Sequence, residues 1–294
     1  MPMTRKLLAP ALVLFAALAV AVPAGGADPA GRGYGSGYPP GFAGGGAAET
    51  TRGNPCLTPR RRHLLCPDLK IAKPSDLYID TFTNPGKRLL HATNNLRSRG
   101  VGPVEIRGRR ITQLSMDLTQ RIHRKGGGKL AIKTTGRLDF TRIPGQYRYW
   151  KYRDAAAFEL WTVGAGGSRL RRVRVGPKQR YCLRDLERTR PGRRSPPHRV
   201  YPGCSQDPDR RAVVLGTSVG WSDIYPSTYH QNWINVTGLR GCFAFVHVAD
   251  PKNHIRELNE RNNRATRYIR LPSARVVSGC PAQGGGGPPT GGIG

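Results

Sequence analysis

The sequence predicts an all-β fold, an antiparallel β-sandwich flanked by flexible tails rich in Gly and Pro. Short apolar runs separated by turn residues favour strands, and no segment has a 3.6-residue apolar stripe lasting three helical turns. The 294-residue chain contains 38 Gly and 25 Pro, and only 37% of its residues are hydrophobic. A core of ordinary size is therefore expected in one domain of about 200 residues, with much of the Gly and Pro outside it.

The N-terminal residues have the pattern of a secretory signal over residues 1–27. Arg5 and Lys6 precede an apolar run at residues 7–22, and small residues follow the run. The run is shorter than the roughly 20 residues that cross a bilayer, so we expect cleavage. An uncleaved signal would be the protein's contact with a membrane. We therefore expect the protein to be secreted or extracytoplasmic.

The rest of the chain divides into three parts by composition. Residues 28–55 are rich in Gly, Ala and Pro without apolar periodicity, which predicts a flexible linker. Residues 56–282 form the expected β domain. Residues 283–294 are again rich in Gly and Pro, and we expect a disordered tail.

Candidate strands in the β domain are short and mostly bounded by Gly, Pro, Asn or Asp. They lie at residues 68–79, 88–95, 104–106, 129–140, 156–163, 170–175 and 233–236. Residues 242–248 are apolar on both faces, which predicts a central strand covered on both sides. His247 shares a face of this strand with Phe243 and Phe245, so we expect a hydrogen-bonded core histidine rather than a metal ligand.

The six cysteines indicate disulfides. They are even in number, and no C-x-x-C pair occurs; the residues are Cys56, Cys66, Cys182, Cys204, Cys242 and Cys280. In an exported chain this favours disulfides over zinc, although six cysteines allow 15 pairings. We expect pairing between neighbours, 56–66, 182–204 and 242–280, because each bond then closes a short or loop-like segment. The 182–204 bond closes a segment rich in Arg and Pro and should contribute about 3 kcal/mol to stability.

Several classes of site have no local motif in the sequence. The histidines are scattered without H-x-H or H-E-x-x-H spacing, and no Cys/His cluster occurs. The chain also has no G-x-S-x-G, no P-loop and no G-x-G-x-x-G after a candidate strand. A transition-metal, serine-hydrolase or nucleotide site is therefore not encoded by any local motif.

The charge balance indicates the kind of partner. With 48 Lys+Arg against 18 Asp+Glu, the formal net charge is +30. A field of this size attracts anions and repels lysine-rich proteins. Anionic cell-envelope polymers or acidic proteins are the expected partners, and nucleic acid would be incidental because the chain is exported. Basic runs, each of which could also be an ordinary solvated surface, lie at residues 60–62, 169–175, 188–199 and 210–211.

Residues 169–175 (RLRRVRV) alternate basic and apolar side chains toward their end. Because neighbouring residues of a strand point to opposite faces, Arg172 and Arg174 should face away from Val173 and Val175.

Four segments in a fixed order carry a resemblance to a known family. They are residues 90–95 (LHATNN) with 102–105 (GPVE), residues 146–160 (QYRYWKYRDAAAFEL), residues 178–185 (KQRYCLRD), and a C-terminal group of 220–225 (GWSDIY), 233–238 (WINVTG) and 257–263 (ELNERNN). On these segments, residues 66–272 resemble the lysyl oxidase family, particularly its bacterial secreted members. The C-terminal group is the most specific part of the resemblance.

The resemblance implies an amine oxidase chemistry and a set of site residues. Members of the family oxidise a primary amine to an aldehyde with copper, held by three histidines in an H-x-H-x-H strand, and with a quinone made from a lysine and an oxidised tyrosine. Lys178 matches the quinone lysine, Tyr225 matches the quinone tyrosine, and Asp223 also fits the family pattern. An ordinary alternative is that Lys178 is a surface lysine and Tyr225 a packing residue.

The copper positions do not match the family. Tyr147, Tyr149 and Lys151 stand where the three histidines belong. Phenol and ammonium groups are protonated at neutral pH, so they are poor ligands for Cu(II) beside imidazole. We therefore expect no cofactor, unless histidines remote in sequence rebuild the copper site. The three side chains should project from one face of a strand near Tyr225, with Lys178 within reach of Tyr225.

Two functional hypotheses follow from the resemblance and the charge. The first is a secreted lysyl oxidase-family protein whose amine oxidase chemistry is impaired or lost and which acts as a basic extracellular or cell-envelope binding domain. The alternative is an active amine oxidase of the protein-lysine 6-oxidase type, which would contain copper and lysine tyrosylquinone and convert primary amines to aldehydes.

Overall fold

A computed structural model describes residues 53–281. The signal prediction, nearly all of the linker prediction and the tail prediction concern residues outside this range. Between residues 53 and 281, no helix has the length and apolar character needed to cross a membrane.

The described chain consists of strands and three short 3-10 turns. The 3-10 turns are Pro55–Leu57, Pro59–His63 and Ala165–Gly167. The strands in chain order are β1 (Leu64–Leu65), β2 (Leu69–Ile71), β3 (Ser75–Asp80), β4 (Leu89–Ser98), β5 (Val104–Thr112), β6 (Ser115–Arg124), β7 (Lys129–Arg142), β8 (Arg148–Tyr152), β9 (Ala156–Val163), β10 (Arg169–Val175), β11 (Ala212–Thr217), β12 (Ser222–Tyr225), β13 (Trp233–Asn235), β14 (Gly241–Ala249), β15 (Arg264–Leu271) and β16 (Arg275–Val277).

These strands form three sheets. The first has the order β11-β5-β6-β7-β8, with β1 also pairing to β6. The second has the order β10-β9-β14-β15-β16. The third is built around β4, which pairs with β2, β3, β12 and β13. Every strand pairing within the described range is antiparallel, so the predicted all-β antiparallel fold is confirmed.

Strand β14 is the predicted central strand. It lies between β9 and β15, and every residue from 242 to 249 is buried, which confirms that both of its faces are covered. Phe243 and Phe245 join a main core that draws residues from all three sheets. Ala244, Val246 and Val248 lie in a second apolar cluster with other residues of this sheet.

Strand β6 is absent from the predicted strands, although its sequence carries the signal. Buried and half-buried positions alternate along it, with Met116, Leu118 and Ile122 on the buried side. Gln120 interrupts this apolar row, and its amide both donates to and accepts from the backbone of Arg256, at 2.9 and 2.8 Å. A buried polar residue with both bonds made is compatible with a core strand.

The disulfide prediction is confirmed. The bonds join Cys56 to Cys66, Cys182 to Cys204, and Cys242 to Cys280, with Cα–Cα distances of 5.8, 5.5 and 5.5 Å. No free cysteine occurs in the described part of the chain. Three disulfides are typical of proteins from an oxidising compartment.

The segment closed by Cys182 and Cys204 is anchored at its ends, by the core residue Leu183 and by a buried carboxylate. Asp185 is fully buried and accepts hydrogen bonds from the backbone N–H groups of Val200, Tyr201 and Ser218, at 2.9, 3.2 and 2.7 Å. The Ser218 hydroxyl donates a fourth bond at 2.8 Å. One carboxylate thus holds both ends of an Arg- and Pro-rich loop.

Candidate functional site

The predicted pair Lys178 and Tyr225 lies at one buried place. Tyr225 is on β12, and Lys178 lies in the connection that follows β10. The Lys178 Nζ atom is 4.3 Å from the centre of the Tyr225 ring, so the expected contact between the two residues is confirmed. Asp223 lies two residues before Tyr225 on the same strand. All three side chains are buried; Lys178 is 2% and Tyr225 4% exposed.

Two further tyrosines complete the surroundings of Lys178. Its Nζ atom is 4.3 Å from the ring centre of Tyr229 and 5.2 Å from that of Tyr181. The Tyr225 ring meets the rings of Tyr181 and Tyr229 edge to face, with centroid distances of 4.5 and 4.9 Å. Tyr181 donates a hydrogen bond from its hydroxyl to Asn94 Oδ1 at 2.6 Å.

The Tyr225 hydroxyl is held by the neighbouring disulfide segment. It accepts a hydrogen bond from the backbone N–H of Cys182 at 2.9 Å. Together with Lys151 of β8, the buried lysine, its three tyrosines and Asp223 form what we call the lysine–tyrosine cluster: Lys151, Lys178, Tyr181, Asp223, Tyr225 and Tyr229. Tyr181 and Tyr229 are not among the predicted site residues, although both lie within or just after segments that carry the family resemblance.

The three residues at the predicted copper positions have different environments. Lys151 on β8 is 3% exposed, and its Nζ atom donates to the Tyr229 hydroxyl at 3.4 Å. Tyr149, two residues earlier on β8, has its ring centre 5.7 Å from the Lys151 Nζ atom. Tyr147 lies before the start of β8 and is 69% exposed. The expected single strand face therefore holds Tyr149 and Lys151, whereas Tyr147 lies in the connection between β7 and β8.

The ionisable groups of the cluster have shifted pKa values. Burial, together with repulsion from Lys151, lowers the pKa of Lys178 from 10.5 to about 6. Burial lowers the pKa of Lys151 from 10.5 to about 8. Burial raises the pKa of Asp223 to about 6, against the attraction of Arg184 and Lys178. At neutral pH Lys178 is therefore mainly a neutral amine.

Asp223 is the least satisfied group of the cluster. Neither of its carboxylate oxygens makes a hydrogen bond to the described residues, and Arg184 Nε is 3.7 Å from Oδ1. A buried carboxylate without hydrogen bonds is costly, which agrees with its raised pKa.

The donors near Tyr225 do not fit the copper ion of the lysyl oxidase family. In the range 53–281, no three His, Cys, Asp or Glu side chains converge in a way that could hold a metal. Among the histidines, His91 stacks on Tyr78 and His123 bonds to Glu105. Of the described histidines, His230 alone is near enough to Lys178 and Lys151 for burial and their charges to lower its pKa. The side chains at positions 147, 149 and 151 are two phenols and an amine. This donor set therefore lacks the three imidazoles that the family uses to hold its copper.

His247 is a core residue, as predicted, but its hydrogen bonding differs from the prediction. It is 1% exposed and its ring lies 4.4 Å from that of Phe158 and 4.9 Å from that of Phe245. Its Nδ1 atom has no hydrogen-bond partner among the described residues. Burial lowers the pKa of His247 to about 3, so the ring is neutral in the folded protein.

Strand β10 is the most basic strand of the second sheet. Its pairing with β9 is irregular at two places, and Leu170 and Val175 are exposed on it. The register places Arg172 opposite Trp161 and Val175 opposite Glu159, on one face of β9, but Arg174 opposite Leu160 on the other face. The prediction that Arg172 and Arg174 share a face away from Val175 is therefore wrong, because the irregularities change which side each residue faces. Val173 alone among its apolar residues packs against the main core.

No protein-family model matches the chain, and no curated protein matches it significantly.

Proposed function

We propose that this protein is an exported, basic binding domain, related to the lysyl oxidase family, in which amine oxidase chemistry is lost. The observation that carries the proposal is the position of Lys151. Its amine is buried against Tyr229 at a place where the family resemblance requires a copper-binding imidazole. A lysine contributes no imidazole nitrogen, and it adds a positive charge that opposes a metal cation.

The burial of Tyr225 also supports the loss of oxidase chemistry. An amine substrate of a quinone enzyme has to reach the quinone ring, but Tyr225 is 4% exposed and its hydroxyl is held by Cys182. The Lys178 amine lies over the Tyr225 ring, and the Tyr229 ring packs edge to face against it. In this conformation the ring offers no surface to a protein-bound lysine.

The charge supports the binding function. A net charge of +30 repels the lysine-rich proteins that a lysyl oxidase would modify, and it attracts anionic cell-envelope polymers or acidic proteins. The three disulfides suit a protein that works in an oxidising extracytoplasmic environment.

The proposal is tested on protein made in a host supplied with copper. We expect less than stoichiometric copper by elemental analysis, no quinone redox staining, and no peroxide release on addition of primary amines. The matched variants are Tyr225→Phe and Tyr149→Phe. One equivalent of copper in the unmodified protein, with a quinone signal that disappears in Tyr225→Phe and persists in Tyr149→Phe, would overturn the proposal.

An active amine oxidase is the second candidate, and one contact favours it. The Lys178 Nζ atom lies 4.3 Å from the Tyr225 ring centre, and a lysine tyrosylquinone needs these two residue types side by side. Such an enzyme would use copper and the quinone to convert primary amines to aldehydes. Copper content, quinone staining and peroxide release would then all be positive in the experiment above.

A further inference from the structure

Strand β10 carries four arginines, Arg169, Arg171, Arg172 and Arg174, and the side chain of Arg264, at the start of the inner strand β15, reaches toward them at Glu159 of β9. We call these five residues the arginine edge. Strand β10 is the terminal strand of its sheet, and its four arginines are exposed. The guanidinium carbons of Arg169 and Arg172 lie 5.5 and 6.0 Å from the ring centre of Trp161. Two of the five arginines therefore lie against one aromatic side chain.

A single carboxylate lies among these arginines. Glu159 is 5% exposed, and its oxygens are 3.0 Å from Arg172 Nη1 and 3.5 Å from Arg264 Nη1. The Trp161 N–H donates to the same carboxylate at 2.9 Å. Burial lowers the pKa of Arg264, and repulsion from Arg169 and Arg172 lowers it further against the attraction of Glu159. Positive charge thus exceeds negative charge at this place.

The arginine edge is supported by packed residues. Val163, Ala244, Val246 and Val248 form the apolar cluster of this sheet, and Trp161 packs against it. Arg169 and Arg172 lie over Trp161, so their side chains have less freedom than fully solvated arginines. Charges held in place lose less entropy when an anion binds.

The chemistry of the arginine edge favours oxyanions arranged along a chain. All basic residues of β10 are arginines, and the guanidinium group binds phosphate or carboxylate oxygens in a two-pronged manner. Arg169, Arg171 and Arg174 lie within six residues of one terminal strand, about 17 Å at 3.3 Å per residue, so one polymer with a charge in each short repeat can reach all three.

Two other classes of polymer fit less well. An acidic peptide that added a strand to β10 would need a regular ladder, and the two pairing irregularities of β10 interrupt it. A sugar ring that stacked on Trp161 would compete with the guanidinium groups of Arg169 and Arg172 over the same ring. A polymer recognised by its phosphate charges needs neither a regular hydrogen-bond ladder along β10 nor an uncovered face of the Trp161 ring.

We propose that the arginine edge binds a phosphodiester polymer of the kind that carries one phosphate per short repeat. The inference rests on the proposed binding function and adds the place and the ligand class. Phosphate oxygens bind to Arg169, Arg171 and Arg174, while Arg172 and Arg264 remain engaged with Glu159.

The test compares two triple variants that remove the same charge. Arg169→Gln/Arg171→Gln/Arg174→Gln changes the arginine edge, and Arg60→Gln/Arg61→Gln/Arg62→Gln changes an exposed run in a 3-10 turn. Poly(glycerol phosphate) is titrated into the full-length wild type and both variants by calorimetry at several salt concentrations. A polyuronate and a polyglutamate of similar charge number are the comparison ligands.

We expect wild type to bind poly(glycerol phosphate) more tightly than the two comparison ligands. The arginine-edge triple should weaken binding at least tenfold and reduce the slope of log K against log salt by about 3, because three phosphate contacts are lost. The 60–62 triple should weaken binding less than threefold. If the arginine-edge triple unfolds, Arg171→Gln/Arg174→Gln, which leaves the contacts with Trp161 intact, should weaken binding at least threefold.

The unfavourable outcomes separate the two proposals. No binding of any polyanion by wild type near physiological salt overturns the binding function itself. Equal loss in both triples, or no loss in the folded double variant, overturns the location at the arginine edge. Tighter binding of polyuronate or polyglutamate, lost in the arginine-edge triple, overturns the ligand class and leaves the surface in place.

Discussion

Replacing Lys178 by Met should stabilise the protein near neutral pH. The Lys178 side chain is 2% exposed, and its pKa falls from 10.5 to about 6 on folding, chiefly because it is buried. At pH 7 the unfolded chain keeps the proton that the folded protein releases. Met has a similar length and no charge to bury, so Lys178→Met removes this cost while retaining most of the packing.

The size of the effect follows from the pKa shift. One pKa unit is worth 1.36 kcal/mol, so releasing the proton at pH 7 costs about 5 kcal/mol relative to an unfolded value of 10.5. Lost N–H···π and van der Waals contacts of the neutral amine with the tyrosine rings, at about 1 kcal/mol, and the altered ionisation of Asp223 reduce the benefit. We expect a net gain of about 2–3 kcal/mol in the free energy of unfolding at pH 7.

The stabilising effect of Lys178→Met should depend on pH. A lysine with a lowered pKa in the folded state binds fewer protons there than in the unfolded state. Its destabilising effect therefore has its full size below about pH 6 and shrinks as the pH rises toward 10.5. The advantage of Lys178→Met should therefore be largest near pH 6 and disappear near pH 10.5. Urea unfolding at three pH values, with the exposed Lys133→Met as control, measures it. A Lys178→Met protein less stable than wild type at pH 7, or a gain independent of pH, would refute the reasoning.

Three other substitutions have defined outcomes. Glu105→Gln should lower the free energy of unfolding in urea by about 2 kcal/mol, because the buried Glu105 carboxylate is 2.7 Å from Lys129 Nζ. The loss should shrink in acid as wild-type Glu105 is itself protonated. An unchanged midpoint at pH 7 would contradict this. The double variant Cys182→Ala/Cys204→Ala should lose about 3 kcal/mol, measured against wild type without reductant. Gly102→Ala should unfold at a clearly lower temperature, because a Cβ there would overlap the backbone of Leu65, whereas Gly192→Ala, which has open space, should melt like wild type.

Apolar patterning was enough to predict the fold class and the most buried strand. Residues 242–248 are apolar at nearly every position, and only a strand covered on both faces can bury them all. Pairing irregularities are not visible in such a pattern. The alternation in β10 predicts that Arg172 and Arg174 share a face, but the two irregularities place them on opposite faces. Residues 68–79 form two strands on either side of Pro74, whose missing N–H interrupts a ladder.

Part of the candidate site was predictable from a family resemblance rather than from apolar patterning. Lys178 and Tyr225 came from a family resemblance, since nothing local in the sequence relates residues so far apart. Tyr181 and Tyr229 could not be assigned to the same place, because tyrosines are common in strands and only the tertiary fold shows that their rings meet that of Tyr225. The shared carboxylate at Glu159 escaped prediction likewise, since its partner Arg264 is contributed by a distant strand.

The loop held by Asp185 has a consequence for access to the buried tyrosine. Between its anchored ends the loop is mostly exposed, and such a segment opens locally at a lower free energy than a core strand does. Cys182, whose N–H donates to the Tyr225 hydroxyl, stands at the start of this loop. Amide hydrogen exchange in residues 183–203 should therefore be fast relative to β14, and each opening would briefly expose the Tyr225 hydroxyl to water. The rate of that local opening, rather than that of global unfolding, should therefore set how often water and small solutes reach the Tyr225 hydroxyl.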